Sequence, residues 1–276
     1  MGIYRPRVSI VVCTHEYERN NEGNIVNLLA KLDENLQNTD HEVIISCNNP
    51  EMLPLLGGIA LKMTINVRIL DNKGNIGLPA AWDRGGRDAN GEYIFFLNQD
   101  VILTRDDDIF TEMIVAGETY SVGVSKELGI FGVEGSDCTV IRGTHKFVDR
   151  YESGQFHSVV EVALSGGFLY GMNREVFHAI NGFDLNISPI FFEEFDFFKK
   201  MQKLEKETGV RYANILIPGI HYKHVFGESA KNPFTNSITW VHPETYEEKT
   251  EMLAEIHLRN KAYLEKKWNI KIQAII

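Results

Sequence analysis

An α/β protein is what this sequence predicts, with helices on both faces of a mostly parallel central sheet and a mixed second half. Two observations carry the expectation. Residues 8–13 form a β-branched run and 93–97 an apolar one, the composition of strands buried on both faces. Strand-like runs also alternate with helix-like segments, which makes successive strands parallel and produces a three-layer α/β/α arrangement.

Taken in order, the run at 8–13 is followed by Ile25, Leu28, Leu29, Leu32 and Leu36 at helical spacing. Residues 42–47 repeat the strand signal, 52–61 read as a short mixed connection, and 66–70 as a third strand closing on Asp71 and Asn72. Gly91 and Glu92 lead into the strong strand 93–97. The alternation then fails. Residues 129–133 and 159–164 read as strands, whereas the polar, turn-rich stretch 135–154 reads as antiparallel additions and loops. Residues 174–180 and 191–204 read as helices, 215–217 as a short strand, and 242–268 as mostly a long helix with a basic end. No repeat or proline-rich linker divides residues 1–276, so one domain is expected.

Composition narrows the function classes. A hydrophobic content of 43% is ample for a core, and a net charge of −10 argues against binding a nucleic-acid backbone, which needs clustered Lys and Arg. Cys13, Cys47 and Cys138 lack metal or redox spacing and read as reduced thiols. No apolar run approaches the roughly 20 residues of a membrane span, and the first residues lack a signal-peptide core, so a cytoplasmic location is expected.

Two stretches carry the chemistry. Phe95, Phe96, Leu97, Asn98, Gln99, Asp100 ends a buried strand on a metal-type carboxylate, where open α/β sheets place ligands. Phe191, Phe192, Glu193, Glu194, Phe195, Asp196 sets acids among aromatics, a setting that raises a carboxyl pKa toward that of a general base. Glu193 and Glu194 are adjacent on a helix and diverge by about 100°, so they do not by themselves form a catalytic pair. Small residues at Gly77, Ala80 and Ala81 suit either a ligand approach or close helix packing. Gly166 and Gly167 read as a strand edge open to a flat-faced ligand, or as a β-bulge. His221 or His224 could join Asp100 in a mixed oxygen and nitrogen site suited to Mn²⁺ or Mg²⁺.

In sequence order these elements resemble the inverting family-two glycosyltransferases of the GT-A fold, most closely the branch of rhamnosyltransferases and other O-antigen and capsule enzymes. The likeness spans about residues 8–229. It divides the chain into a nucleotide-sugar half (about 1–105), an acceptor half (about 106–240) and a C-terminal helical segment (about 241–276). The resemblance implies donor contacts from Thr14, His15, Glu16, Asn48, Asn72, Asn75, Asn98, Gln99 and Asp100, and acceptor contacts from Gly166, Gly167 and Asp196. It implies that Asp100 and His224, the latter followed by Gly227, Glu228 and Ser229, hold a divalent cation, and that Glu194 or Glu193 is the catalytic base. The donor implied is a UDP-, dTDP- or GDP-sugar, and the acceptor a glycan or lipid-linked hydroxyl in polysaccharide or glycoconjugate synthesis. Three positions depart from the pattern. Asn98 replaces the first acid of the Asp-x-Asp motif, Cys47 stands where many relatives have an Asp, and Glu194 is one methylene longer than the usual Asp.

Other classes fit less well. A sugar-nucleotide-forming nucleotidyltransferase needs a glycine-rich basic loop after the first strand, and a Rossmann dehydrogenase needs GxGxxG there. Cys13, Thr14, His15, Glu16 supply neither. An inactive sugar-nucleotide or glycan-binding module of the same fold is the remaining alternative. Arg259, Lys261, Lys266 and Lys267 would give the last helix a basic side for peripheral contact with the inner face of a membrane.

Overall fold

The computed structural model describes residues 7–15, 23–37, 39–224 and 246–273. Strands β1 (Val8–Thr14), β2 (His41–Cys47), β3 (Asn66–Asp71) and β4 (Tyr93–Asn98) run parallel in the order β4-β1-β2-β3. The two-residue period of β1 explains the layers. Val8, Ile10 and Val12 join one apolar cluster with Ile25, Leu28, Leu29 and Leu32 of helix α1 (Ile25–Asn35), whereas Val11 joins the opposite cluster with Trp82 of α3 (Leu78–Asp88). Asn24 starts α1 by accepting hydrogen bonds from the Val26 and Asn27 amides, each 3.0 Å. The mixed connection expected at 52–61 holds a helix, α2 (Leu53–Ala60), whose Pro54, Gly57 and Gly58 are poor helix formers and conceal it.

In the second half β9 (Leu164–Asn173) lies antiparallel between β4 and β6 (Glu127–Ile141). Gly166 pairs with Glu134 of β6, while the pairing with β4 ends at Leu169, so this part of β9 runs past the end of β4. The antiparallel additions expected in 135–154 form as one hairpin of β6 and β7 (Thr144–Glu152), which also takes up most of the residues expected as loops. Arg142 and Gly143 both take positive φ, 49° and 78°, the two-residue turn whose twist suits a hairpin. The tip is exposed on all sides, Val140 and Ile141 included, so no apolar face marks its strands. The strand expected at 159–164 is split between β8 (Val160–Glu161), beside β10 (Tyr212–Leu216), and Leu164, which opens β9.

Helix α4 (Ile109–Gly123) has no counterpart among the expected elements, because Val115 and Val122 are exposed and blur its one-sided pattern. Helices α5 (Arg174–Ala179) and α6 (Glu193–Thr208) fall where expected. Helix α7 (Tyr246–Trp268) sets Leu264 against Phe195 and Phe198 of α6 and Ile272 of β12 (Lys271–Gln273), a strand parallel to β7. Lys267, expected on an open basic face, is ion-paired with Asp184 at 2.7 Å and Asp196 at 2.6 Å. Among the described residues, no helix is long and apolar enough to cross a membrane.

Candidate active site

The parallel register aligns the carboxyl ends of β1, β2 and β3, and the residues just beyond them form a tied set. The Asn48 amide donates to Thr14 O at 2.7 Å and the Asn72 amide to Cys47 O at 3.0 Å. Asn72 Nδ2 donates to Asn48 Oδ1 at 2.8 Å, Asn48 Nδ2 to Asn75 Oδ1 at 3.2 Å, and Arg84 Nη1 to Asn72 Oδ1 at 2.6 Å. The three asparagines expected to touch a donor are thus brought together, buried and bonded to one another, which fixes the loop between β3 and α3. Cys47 is buried and its thiol donates to Asn49 O at 3.0 Å, while burial and Cys47 push the Cys13 thiol up to about 12. His15 is buried, and Glu16 lies outside the described residues, as do Gly227, Glu228 and Ser229.

At the end of β4, Gln99 accepts from Thr14 Oγ1 at 2.5 Å, joining the Asn98 to Asp100 turn to β1. Asp100 is 2% exposed, and its Oδ1 lies 3.3 Å from His224 Nε2. That approach is built by β5 (Val101–Leu103), which pairs antiparallel with β11 (Tyr222–His224) and sets His224 opposite Val101. The imidazole stacks on Phe168, centroids 4.0 Å apart. His221, the other candidate, is exposed, and its carbonyl accepts from Thr104 Oγ1 at 3.0 Å. A carboxylate oxygen and an imidazole nitrogen suit Mn²⁺ or Mg²⁺, and two ligands bound at about 2.1 Å and at right angles stand about 3 Å apart, close to this separation. Among the described residues, no group of three or more His, Cys, Asp and Glu side chains converges on one point.

The acid cluster opens α6. Glu194 Oε1 accepts from the Gly167 amide at 3.3 Å. A β-carbon on Gly166 would meet Glu194 Cγ at 2.3 Å, so only glycine lets this side chain lie flat on β9. The register of β9 against β6 shifts between Gly132 and Glu134, and Gly167 takes φ +86°, so the β-bulge reading holds. Glu193 is buried, and desolvation, then the Glu194 charge, hold its carboxyl well above the usual range. Asp196, expected at the acceptor, directs its Oδ1 to Lys267 Nζ at 2.6 Å and Trp268 Nε1 at 2.9 Å. It ties α6 to α7.

One bulge therefore joins both halves: Gly166 and Gly167 carry Glu194, and the next residue, Phe168, carries the His224 ring. Sequence reasoning missed Phe168 and Glu134, whose Oε2 would lie 2.7 Å from a β-carbon on Gly167. The signal for Glu134 was an acid placed directly after the apolar run Ile130 to Val133. The pair formed by Phe168 and His224 left no local trace.

The α/β fold, with its mainly parallel central sheet and mixed second half, is the GT-A fold that the sequence led us to expect. Residues 9–110 match the family model of glycosyl transferase family 2. No curated protein matches the chain. Among solved structures it resembles GalNAc-T7 with UDP, GalNAc and Mn²⁺, at TM-score 0.55 and 13% identity over 80% of this chain, although the chain spans only 43% of that one. It also resembles the mannosyltransferase PcManGT from Pyrobaculum calidifontis in complex with GDP-Man and Mn²⁺, at TM-score 0.52, 16% identity, 95% of this chain and 73% of that one. TarS of S. aureus, residues 1–349 with UDP, matches at TM-score 0.50 and 14% identity, with 78% and 59% covered.

Proposed function

We propose that this protein is a metal-dependent inverting glycosyltransferase that moves a hexosyl or deoxyhexosyl group from a nucleotide-sugar to a hydroxyl of a glycan or lipid-linked acceptor. The observation that carries the reading is the β9 bulge, which holds a carboxylate on one side and an Asp–His pair on the other. The family match over residues 9–110 supports a sugar-nucleotide donor, and the Mn²⁺ in two similar structures supports a divalent cation.

In this reading Asp100 and His224 hold the cation beside the donor diphosphate, where it would offset the negative charge that grows on the leaving group. Thr14, Gln99 and the asparagine set fix the loops that enclose the nucleotide. Glu194, held against Gly167, takes the proton of the acceptor hydroxyl as its oxygen bonds to the anomeric carbon and the bond to the diphosphate breaks. Attack from the face opposite the leaving group inverts the anomeric configuration. Burial, then the Glu194 charge, push the Glu193 carboxyl upward, which favours its protonated form and leaves Glu194 as the proposed base.

The test is a thermal-shift screen of UDP-, dTDP- and GDP-sugars with and without Mn²⁺, since a ligand that binds only the folded state raises Tm in proportion to its affinity. At least one sugar nucleotide should stabilise the protein in a Mn²⁺-dependent way, and Asp100→Ala should abolish that shift. A shift that is unchanged in EDTA would remove the metal from the reading, and no shift with any donor would remove the reading itself.

A further inference from the structure

The turn that delivers Glu194 is strained, and what holds it lies far away in sequence. Phe191 and Phe192, bulky residues with a β-carbon, take left-handed φ values of 77° and 73° in succession, and Phe192 caps α6 with no side-chain hydrogen bond. Such a conformation persists only where the surroundings impose it.

Helix α7 supplies the imposition. Asn260, fully buried, donates its Nδ2 to Ile190 O at 2.9 Å and reaches Phe191 O at 3.5 Å. Arg259 donates to Ser188 O. The His257 ring lies 4.7 Å from the ring of Phe192 and 5.8 Å from that of Phe191. Two turns onward, Lys267 and Trp268 bind Asp196 inside the first turn of α6. The far side of the same segment touches the donor loops, because Pro189 O accepts from the Leu78 amide at 2.8 Å at the start of α3. A fully buried amide in a helix interior costs free energy unless bonded, and both of its donor contacts go to this one turn.

We propose that Asn260 is a positioning residue: it clamps the left-handed Phe191–Phe192 turn and thereby aims Glu194 at the Gly166–Gly167 bulge. Helix α7 then belongs to the catalytic unit, an inference that rests on the proposed role of Glu194. Loss of the clamp lets the turn relax toward ordinary φ, which rotates the first turn of α6 and moves the carboxylate while leaving the Asp100–His224 side in place.

The experiment uses the full chain with Asn260→Ala, Trp268→Phe, and Asn260→Ala combined with Phe192→Gly. Amide hydrogen exchange over residues 190–196 is read first, and Asn260→Ala should speed it by about tenfold or more, with β1 to β4 unchanged. Turnover is read as Mn²⁺-dependent release of UDP from UDP-glucose or GDP from GDP-mannose, water standing in for the acceptor. In Asn260→Ala, kcat should fall about 10- to 100-fold while the affinity for UDP or GDP with Mn²⁺ stays within about twofold. Glycine at 192 adopts positive φ without strain, so the combined variant should recover most of the lost kcat; a merely structural role for Asn260 would give no such recovery. Trp268→Phe removes only the indole donor to Asp196 and should show a milder form of the same split, which keeps the test available if Asn260→Ala does not fold. Unchanged exchange at 190–196, or faster exchange with unchanged kcat, overturns the proposal. A parent protein that releases nucleotide from no sugar nucleotide overturns the proposed function instead, and the exchange arm then decides the clamp alone.

Discussion

Gly166 and Glu194 fit by omission: the glutamate's Cγ occupies the space into which any β-carbon at 166 would project, 2.3 Å away. The contact is with a side chain rather than backbone, so a substitution there displaces the carboxylate before it disrupts the sheet.

Gly166→Ala should therefore lower transfer about 100-fold or more, while the overpacking costs about 1–3 kcal/mol of stability. Circular dichroism and Tm report the fold, and nucleotide release reports the chemistry. A variant with parental turnover would show that Glu194 can move without consequence.

Glu194→Gln keeps the shape and removes the proton acceptor, and it should cut turnover by about 10² to 10⁴ with Mn²⁺-dependent nucleotide binding nearly intact. If Glu193→Gln gives that phenotype and Glu194→Gln does not, the roles of the two acids are exchanged.

Glu193 also predicts a pH dependence of stability. Its folded pKa is raised, first by burial and then by Glu194, so the native state keeps a proton that the unfolded chain releases. Its contribution is complete below the unfolded value of about 4.3 and is lost as pH rises toward the folded value, with a slope of at most about 1.4 kcal/mol per pH unit. Glu193→Gln lacks that slope, so the variant should gain on the parent as pH rises from about 4 into the neutral range. Urea titrations at several pH values measure the difference, and parallel curves would mean that Glu193 is ionised in the native state.

Arg142 tests the hairpin. Its φ of 49° is a conformation that asparagine tolerates better, so Arg142→Asn, giving an Asn-Gly turn with Gly143, should raise stability by several tenths of a kcal/mol. Gly143→Val should lower it, and equal Tm values for both would place the turn outside the cooperative unit.

The first half of the chain was legible because its strands bury both faces and its first helix keeps one, so residues such as Val11 and Leu29 announce their partners by spacing alone. In Gly135 to Gly154 the antiparallel addition was legible but its extent was not, because polarity in an exposed hairpin looks like polarity in a loop, and only the Arg142–Gly143 turn, not the usual Asn-Gly, separates the two. In the site, Asp100 and Glu194 stood out as acids beside aromatic runs. Asn260 did not, because an asparagine inside a helix has no local signature and its partners Ile190 and Phe191 lie some seventy positions earlier. Asp196 looked like one acid among others until Lys267 and Trp268 claimed it.

The single bulge in β9 constrains how such an enzyme could be redesigned. An insertion or deletion between Gly166 and Phe168 would shift the Glu194 seat and the His224 platform together, because both hang from three consecutive residues. A change made on the Glu194 side of that strand would disturb the Asp100–His224 side as well. Sequence changes have more freedom at the turn itself, Arg142 and Gly143, which is solvent-exposed, whereas from Thr144 onward β7 is also paired with β12.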